Sequence, residues 1–291
     1  MGVHGFYHYT KNYHKNIISV NLLRVGIDAL SLLYKYQGDI EKIFKFLKPI
    51  LHHKLLFVFD GKAPESKKEE LNLRKTFNNN KQDEINSLRL WLTSDMNEET
   101  KDLIRSQIIR LEKESWIMNY ETRENFKKYL IENNYSFIKS IQEADAVLID
   151  LYYSNYIDVV LSNDMDFLIA GIDKVWLHTK NDLKEVELKD ILEEEDINKE
   201  QLKEVAILSG INNTRISSVD DIYIALTLIR HYGSIESIIE HKAINLTLPY
   251  DNYIIDTKRR FYPNRSEPFK NVKEEHIVYL EPFKLEPFKP K

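Results

Sequence analysis

Six acidic residues stand where chemistry is easiest to imagine. Asp28 closes the apolar run in VGIDAL, Asp60 closes LLFVFDGK, Asp164 and Asp166 follow the run in VVLSNDMDF, and Glu143 and Asp145 sit in QEADAVLIDLYY. Gathered in one crevice, these carboxylates would repel one another, because unpaired charge removed from water is costly. Cations relieve that repulsion. With 0 Cys in the chain, a metal must be held by oxygen or imidazole, and hard carboxylate oxygens suit Mg²⁺, with Mn²⁺ able to substitute. A pair of such ions ~4 Å apart suits in-line attack of water on a phosphodiester. Each acid taken singly is as readily a turn or helix-cap residue. The coincidence of four segments points to a site.

The elements that must carry these acids can be read from periodicity. Short apolar runs at residues 23–27, 55–59, 136–139, 159–162 and 175–178 predict strands buried on both faces, with helical patterns between them. Residues 1–190 therefore read as an α/β core with a largely parallel sheet and helices on both faces, and acids at strand C-termini converge in the crevice where such sheets bind ligands. Asp164 and Asp166, two apart, share one side if the backbone is extended. Glu143 and Asp145 fall at the start of a helix, where the positive end of the dipole tolerates them.

Residues 62–133 interrupt the sheet, with a charge-rich stretch at 66–80 leading into a helical pattern over 83–128. That insertion is too long for a simple crossover. Residues 191–248 predict a small all-helical unit with helices over 198–209, 220–232 and 235–241. Residues 249–291 hold six of the eight prolines and repeat Glu-Pro-Phe-Lys from Glu267, Glu281 and Glu286, so they read as an extended tail.

The 291 residues, 43% hydrophobic and 30% charged, can bury one large core or two smaller ones. Net charge is −5, so bulk attraction to nucleic acid is absent and a basic track would have to be segregated from the acidic site. No uninterrupted apolar run marks a leader at the first residues, Phe6 spoils a myristoylation pattern, and no run approaches the ~20 apolar residues of a membrane helix. No membrane partner is expected.

Beyond the acids, the segments MGVHGF, VGIDALSLLY, FVFDGKAP, EADAVL, SNDMDFLIAG and LIRHYGSIESII occur in this order. Together they resemble the flap endonuclease/XPG family of structure-specific 5′ nucleases, which includes the phage 5′-3′ exonucleases, over most of residues 1–245. The resemblance implies a PIN-like sheet, a helical arch over residues 62–133 that passes a single-stranded 5′ end, and a helix-two-turn-helix-like unit. It implies Mg²⁺-dependent hydrolysis of branched or flapped DNA at single-strand/double-strand junctions in replication, repair or recombination, by a monomer with no small-molecule cofactor. Carried over by residue, Asp28, Asp60, Glu143 and Asp145 hold one ion and Asp164 with Asp166 the other. Lys67 and Arg74 match the catalytic basic pair that reaches the scissile phosphate. Gly2 and Tyr34 join them in contacting DNA, with Tyr34 stacking a base. Family members act in the nucleus or, for the poxvirus-type members that the Asn, Lys, Ile and Tyr enrichment suggests, at cytoplasmic sites of viral replication.

Two departures stand out. Where the family places an aspartate two residues after a glycine, LSGINN has Asn212, a neutral donor to the second ion that Asp220 or Asp221 could supplement. In place of the glycine-rich hairpin that faces duplex DNA stands SVDDIYIA, whose acids oppose phosphate. The ending EPFKLEPFKPK is no recognisable sliding-clamp motif. A PIN-like ribonuclease, and a nucleic-acid-binding protein of the same fold with weakened turnover, are the competing expectations.

Overall fold

Alternating side chains along a parallel sheet divide the interior into two cores. The computed structural model describes residues 3, 5–18, 21–62, 68–92, 96–141, 143–180, 182–210, 219, 221–245 and 277–278, with the backbone alone for 68–71, 74, 277 and 278. Strands β2 (Arg24–Asp28), β3 (Lys54–Phe59), β4 (Ser136–Lys139), β5 (Val159–Leu161) and β6 (Lys174–His178) are parallel. With β1 (Lys15–Asn16), β7 (Leu183–Glu187) and β8 (Ile277–Val278) added antiparallel, the order is β1-β7-β6-β5-β2-β3-β4-β8. β7 has no counterpart among the predicted strands, since Leu183, Lys184 and Glu185 are only half-buried and two of them are charged. β8 places two residues of the predicted extended tail against the edge at β4.

Leu56, Val58, Ile138, Val160, Val175 and Leu177 enter the core covered by α1 (Phe6–Tyr9), α7 (Ala144–Tyr153), α8 (Asp166–Ile169), α9 (Leu188–Glu195) and α10 (Lys199–Ser209). Leu55, Phe57, Phe59, Phe137, Leu161 and Trp176 enter the other, beneath α2 (Ala29–Lys35), α3 (Ile40–Leu47) and α6 (Tyr120–Glu132). The two-residue period of a strand sends neighbours such as Phe57 and Val58 to opposite faces.

The interruption holds α4 (Lys68–Trp91) and α5 (Glu98–Glu114), and then α6. The stretch at 66–80 is mostly helix rather than a lead-in, in keeping with the good helix propensity of its Lys, Glu, Leu and Arg. α4 and α5 pack on each other through Ile85, Ile108 and Leu111, and Asn97 caps α5. α6 differs: Phe126 and Leu130 are fully buried under the sheet, so its packing belongs to the core. The chain then ends its described helices with α10, α11 (Ile222–Tyr232) and α12 (Ile235–Glu240), close to the predicted ranges. They are capped by Asn198 with Gln201, by Asp221 and by Ser234.

Candidate active site

The four neighbouring strands β5, β2, β3 and β4 each deliver acid at the carboxyl edge of the sheet. Asp28 ends β2 and caps α2, its Oδ1 accepting from the Ser31 amide at 3.1 Å while Oδ2 accepts from Ser162 Oγ at 3.1 Å. Asp60 follows β3 directly, and its Oδ1 accepts from the Ala144 amide at 2.5 Å, capping α7 from across the crevice. Glu143 occupies the N-cap position of α7 and makes no side-chain cap bond. An Asp from the neighbouring strand end thus caps the helix in place of the residue at its cap position. Asp145 lies in the first turn of α7.

Gly61 makes the Asp60 contact possible. A Cβ at Gly61 would fall 2.2 Å from the Ser140 carbonyl oxygen and 2.3 Å from that of Ile141, against which the chain is laid by the bond from Lys62 N to Ile141 O at 3.0 Å. Backbone this close to backbone leaves no space for a side chain.

Asp164 and Asp166 do not share one side of extended backbone as their spacing predicts. The chain turns instead: Asp164 Oδ1 accepts from the Asp166 amide at 3.0 Å, an Asx-turn, and Asp166 opens α8 with only 5% of its surface exposed. The buried Ser162 joins the two halves of the site, since its Oγ donates to Asp28 and accepts from the Asp164 amide at 3.1 Å. Sequence reading missed Ser162, and a serine carries no signal that would have singled it out. It also missed Arg123 of α6, whose guanidinium donates to the Asp60 carbonyl at 3.2 Å and so stands at the same edge.

The electrostatics match a crowd of like charges. Burial pushes Asp28 up to about 7 against the hydrogen bonds from Ser31 and Ser162, and the charges of Asp60 and Asp164 push the same way. Asp145 is raised well above the carboxylate range by burial and then by Asp164, Asp28, Asp60 and Glu143. Carboxylates that raise one another in this way are a donor set suited to a hard divalent cation, which would remove the repulsion. Among the described residues no three acidic or histidine side chains already form a metal cage, so the oxygens would have to close in around an ion.

Tyr34 lies at the end of α2 and is 52% exposed, outside the core. Arg74 lies on α4 and only its backbone is described; Gly2, Lys67, Asn212 and Asp220 lie outside the described residues. Asp221 is committed to capping α11, accepting from the amides of Tyr223 at 2.7 Å and Ile224 at 3.3 Å.

Residues 134–212, which carry β4, α7, β5 and the acids from Glu143 to Asp166, match the XPG I-region family. Flap endonuclease 1-A of Oryza sativa subsp. japonica is 31% identical over 231 residues, covering 75% of this chain. The chain belongs to the flap endonuclease/XPG family. Flap endonuclease 1 of Zea mays is 30% identical over the same length, and this family member spans 57% of the length of either relative. Among solved structures, the catalytic core of Rad2 in complex with DNA substrate superposes with a TM-score of 0.61 at 16% identity, over 92% of this chain and 88% of that one. Flap endonuclease-1 from Methanococcus jannaschii gives a TM-score of 0.56 at 19% identity, over 87% and 83%. The family's PIN-like α/β fold is therefore present here.

Proposed function

We propose that this chain is a divalent-metal-dependent, structure-specific 5′ nuclease that hydrolyses phosphodiesters of branched DNA at single-strand/double-strand junctions. The observation that carries the reading is the convergence of acids from four adjacent strand ends, where burial, joined by the charges of Asp60 and Asp164, raises Asp28 to about 7. The family relatives named as flap endonucleases support the substrate class.

Asp28, Asp60, Glu143 and Asp145 are the residues to hold one Mg²⁺, and Asp164 with Asp166 the second, with Asn212 as a neutral donor. Bound ions there would lower the pKa of the attacking water and neutralise charge on the transferring and leaving oxygens. Ser162 keeps Asp28 and Asp164 in register, and the Asp60–Ala144 bond fixes the reach of α7 toward them. Lys67 and Arg74 bind the scissile phosphate as a cationic clamp, and Gly2 contacts DNA. Tyr34 offers its exposed ring to a base, and α4 with α5 form the arch beside which the 5′ single strand passes.

Cleavage of a 5′-labelled flap DNA and of a matched single-stranded RNA, with Mg²⁺, Mn²⁺ or EDTA, tests the reading. Metal-dependent cutting at the flap junction that disappears in Asp164→Ala is expected. Binding without cutting under either metal, or cutting confined to the RNA, overturns it.

A further inference from the structure

Trp116 lies in the link between α5 and α6, a position that neither the acids nor the basic pair explain. Its indole meets the ring of Tyr34 at 5.7 Å between centroids and 88° between planes, an edge-to-face pair. The turn that closes α2 passes beside it. Gly38 has φ +77, and a Cβ there would lie 3.6 Å from Trp116 Cζ2 and 2.5 Å from Thr122 Cγ2. One residue earlier, Gln37 Nε2 donates to the Lys113 carbonyl in the last turn of α5 at 3.0 Å. The segment from Tyr34 to Gly38 is therefore joined to the returning leg of the α4–α5 excursion twice, by a ring contact and by a hydrogen bond. Tyr34 nevertheless keeps 52% of its surface open.

An exposed tyrosine with nothing against it samples several rotamers, and a ligand that stacks on it must stop that motion. An edge-to-face partner selects one orientation in advance and leaves ring surface available. We infer that Trp116 is a positioning residue: it fixes Tyr34 for stacking on a nucleobase at the junction and ties the arch to that aromatic platform. This rests on the DNA-cleaving reading above and adds to it a residue with no acid, cation or family motif to announce it.

The test uses the full chain and a 5′-flap DNA carrying 2-aminopurine at the junction nucleotide, whose fluorescence falls when the base stacks. Trp116→Leu should raise KM and weaken flap binding by roughly two- to tenfold, the size of one aromatic pair, while reducing the quench and leaving kcat near the parent value. Trp116→Phe should restore most of both. In a Tyr34→Leu background the same change should add nothing, because the pair acts through Tyr34. Thermal unfolding of each variant reports whether it folds; if Trp116→Leu does not, Trp116→Met, which fills more of the vacated space but removes the ring, reads the same quench. Quench and KM equal to the parent, or effects of Trp116 and Tyr34 that add, overturn the inference alone. A parent chain that binds no flap DNA overturns the nuclease reading and this inference with it.

Discussion

Asp60 accepts the Ala144 amide and Asp28 accepts the Ser31 amide, so each caps a helix with one oxygen while contributing charge to the crevice. In the sequence these roles compete as explanations; in the fold they coexist, because the carboxyl edge of a parallel sheet is also where the following helices begin. Removing charge and removing the cap can be separated. Asp60→Asn keeps an oxygen acceptor for Ala144, so we expect metal-dependent cutting to be lost while urea unfolding in EDTA shifts little. Asp60→Ala should lose cutting and in addition about 1 kcal/mol of stability from the missing cap. Equal stability of the two variants would show that the bond to Ala144 contributes nothing. At this scale the acids were legible because their type is rare in apolar surroundings. Ser162 and Arg123 were not, because a hydroxyl between two carboxylates and a guanidinium at a backbone carbonyl become visible only in three dimensions.

Elements were legible where hydrophobic period was strong and lost where it was weak. The five parallel strands stand at the predicted places, while β7, with charge in its outer half, was invisible to a search for apolar runs. The turn after Asp164 was missed for a different reason: spacing of two fixes a common side only in extended backbone, and an Asx-turn with a helix behind it removes that condition. The first half of α4 reads in the sequence as a charged lead-in, since a helix polar on most of its surface carries little hydrophobic periodicity. Gly61 offers the element-scale test. In Gly61→Ala the new methyl meets two backbone carbonyls, which cannot rotate away as side chains do, so the end of β3 must separate from residues 140–141. Overpacking of this kind costs about 1–3 kcal/mol. Asp60 would move with the strand, so single-turnover cleavage should fall by more than the loss of folded protein explains. A variant with parental stability and rate would mean that the close approach is not required.

At the scale of the whole molecule, burial opposes ionisation not only among the acids but also at the end of the neighbouring strand. His178 closes β6 with 6% exposure; its Nε2 is 2.6 Å from Ser31 Oγ, and its backbone is locked to the Asn163 side chain through bonds of 2.8 Å and 3.0 Å. Burial, then the charge of Lys35, pushes the imidazole down to about 3. The folded protein therefore refuses a proton that the unfolded chain accepts below its ordinary value of about 6.5. Stability that is intact above that value falls as pH drops toward 3, by about 2 kcal/mol at pH 5 for this group. Asp28 and Asp145 act in the opposite sense without metal, since their raised values let the folded state take protons where the unfolded chain is ionised. The parental curve sums both effects, but the difference between parent and His178→Gln contains only the histidine. Urea unfolding in EDTA from pH 7.5 to pH 5 should show the parent losing stability relative to the variant across that window. Parallel curves would mean that His178 takes up its proton in the fold as it does in the unfolded chain, so that at pH 5 the contact with Ser31 is made by an imidazolium rather than by a neutral ring.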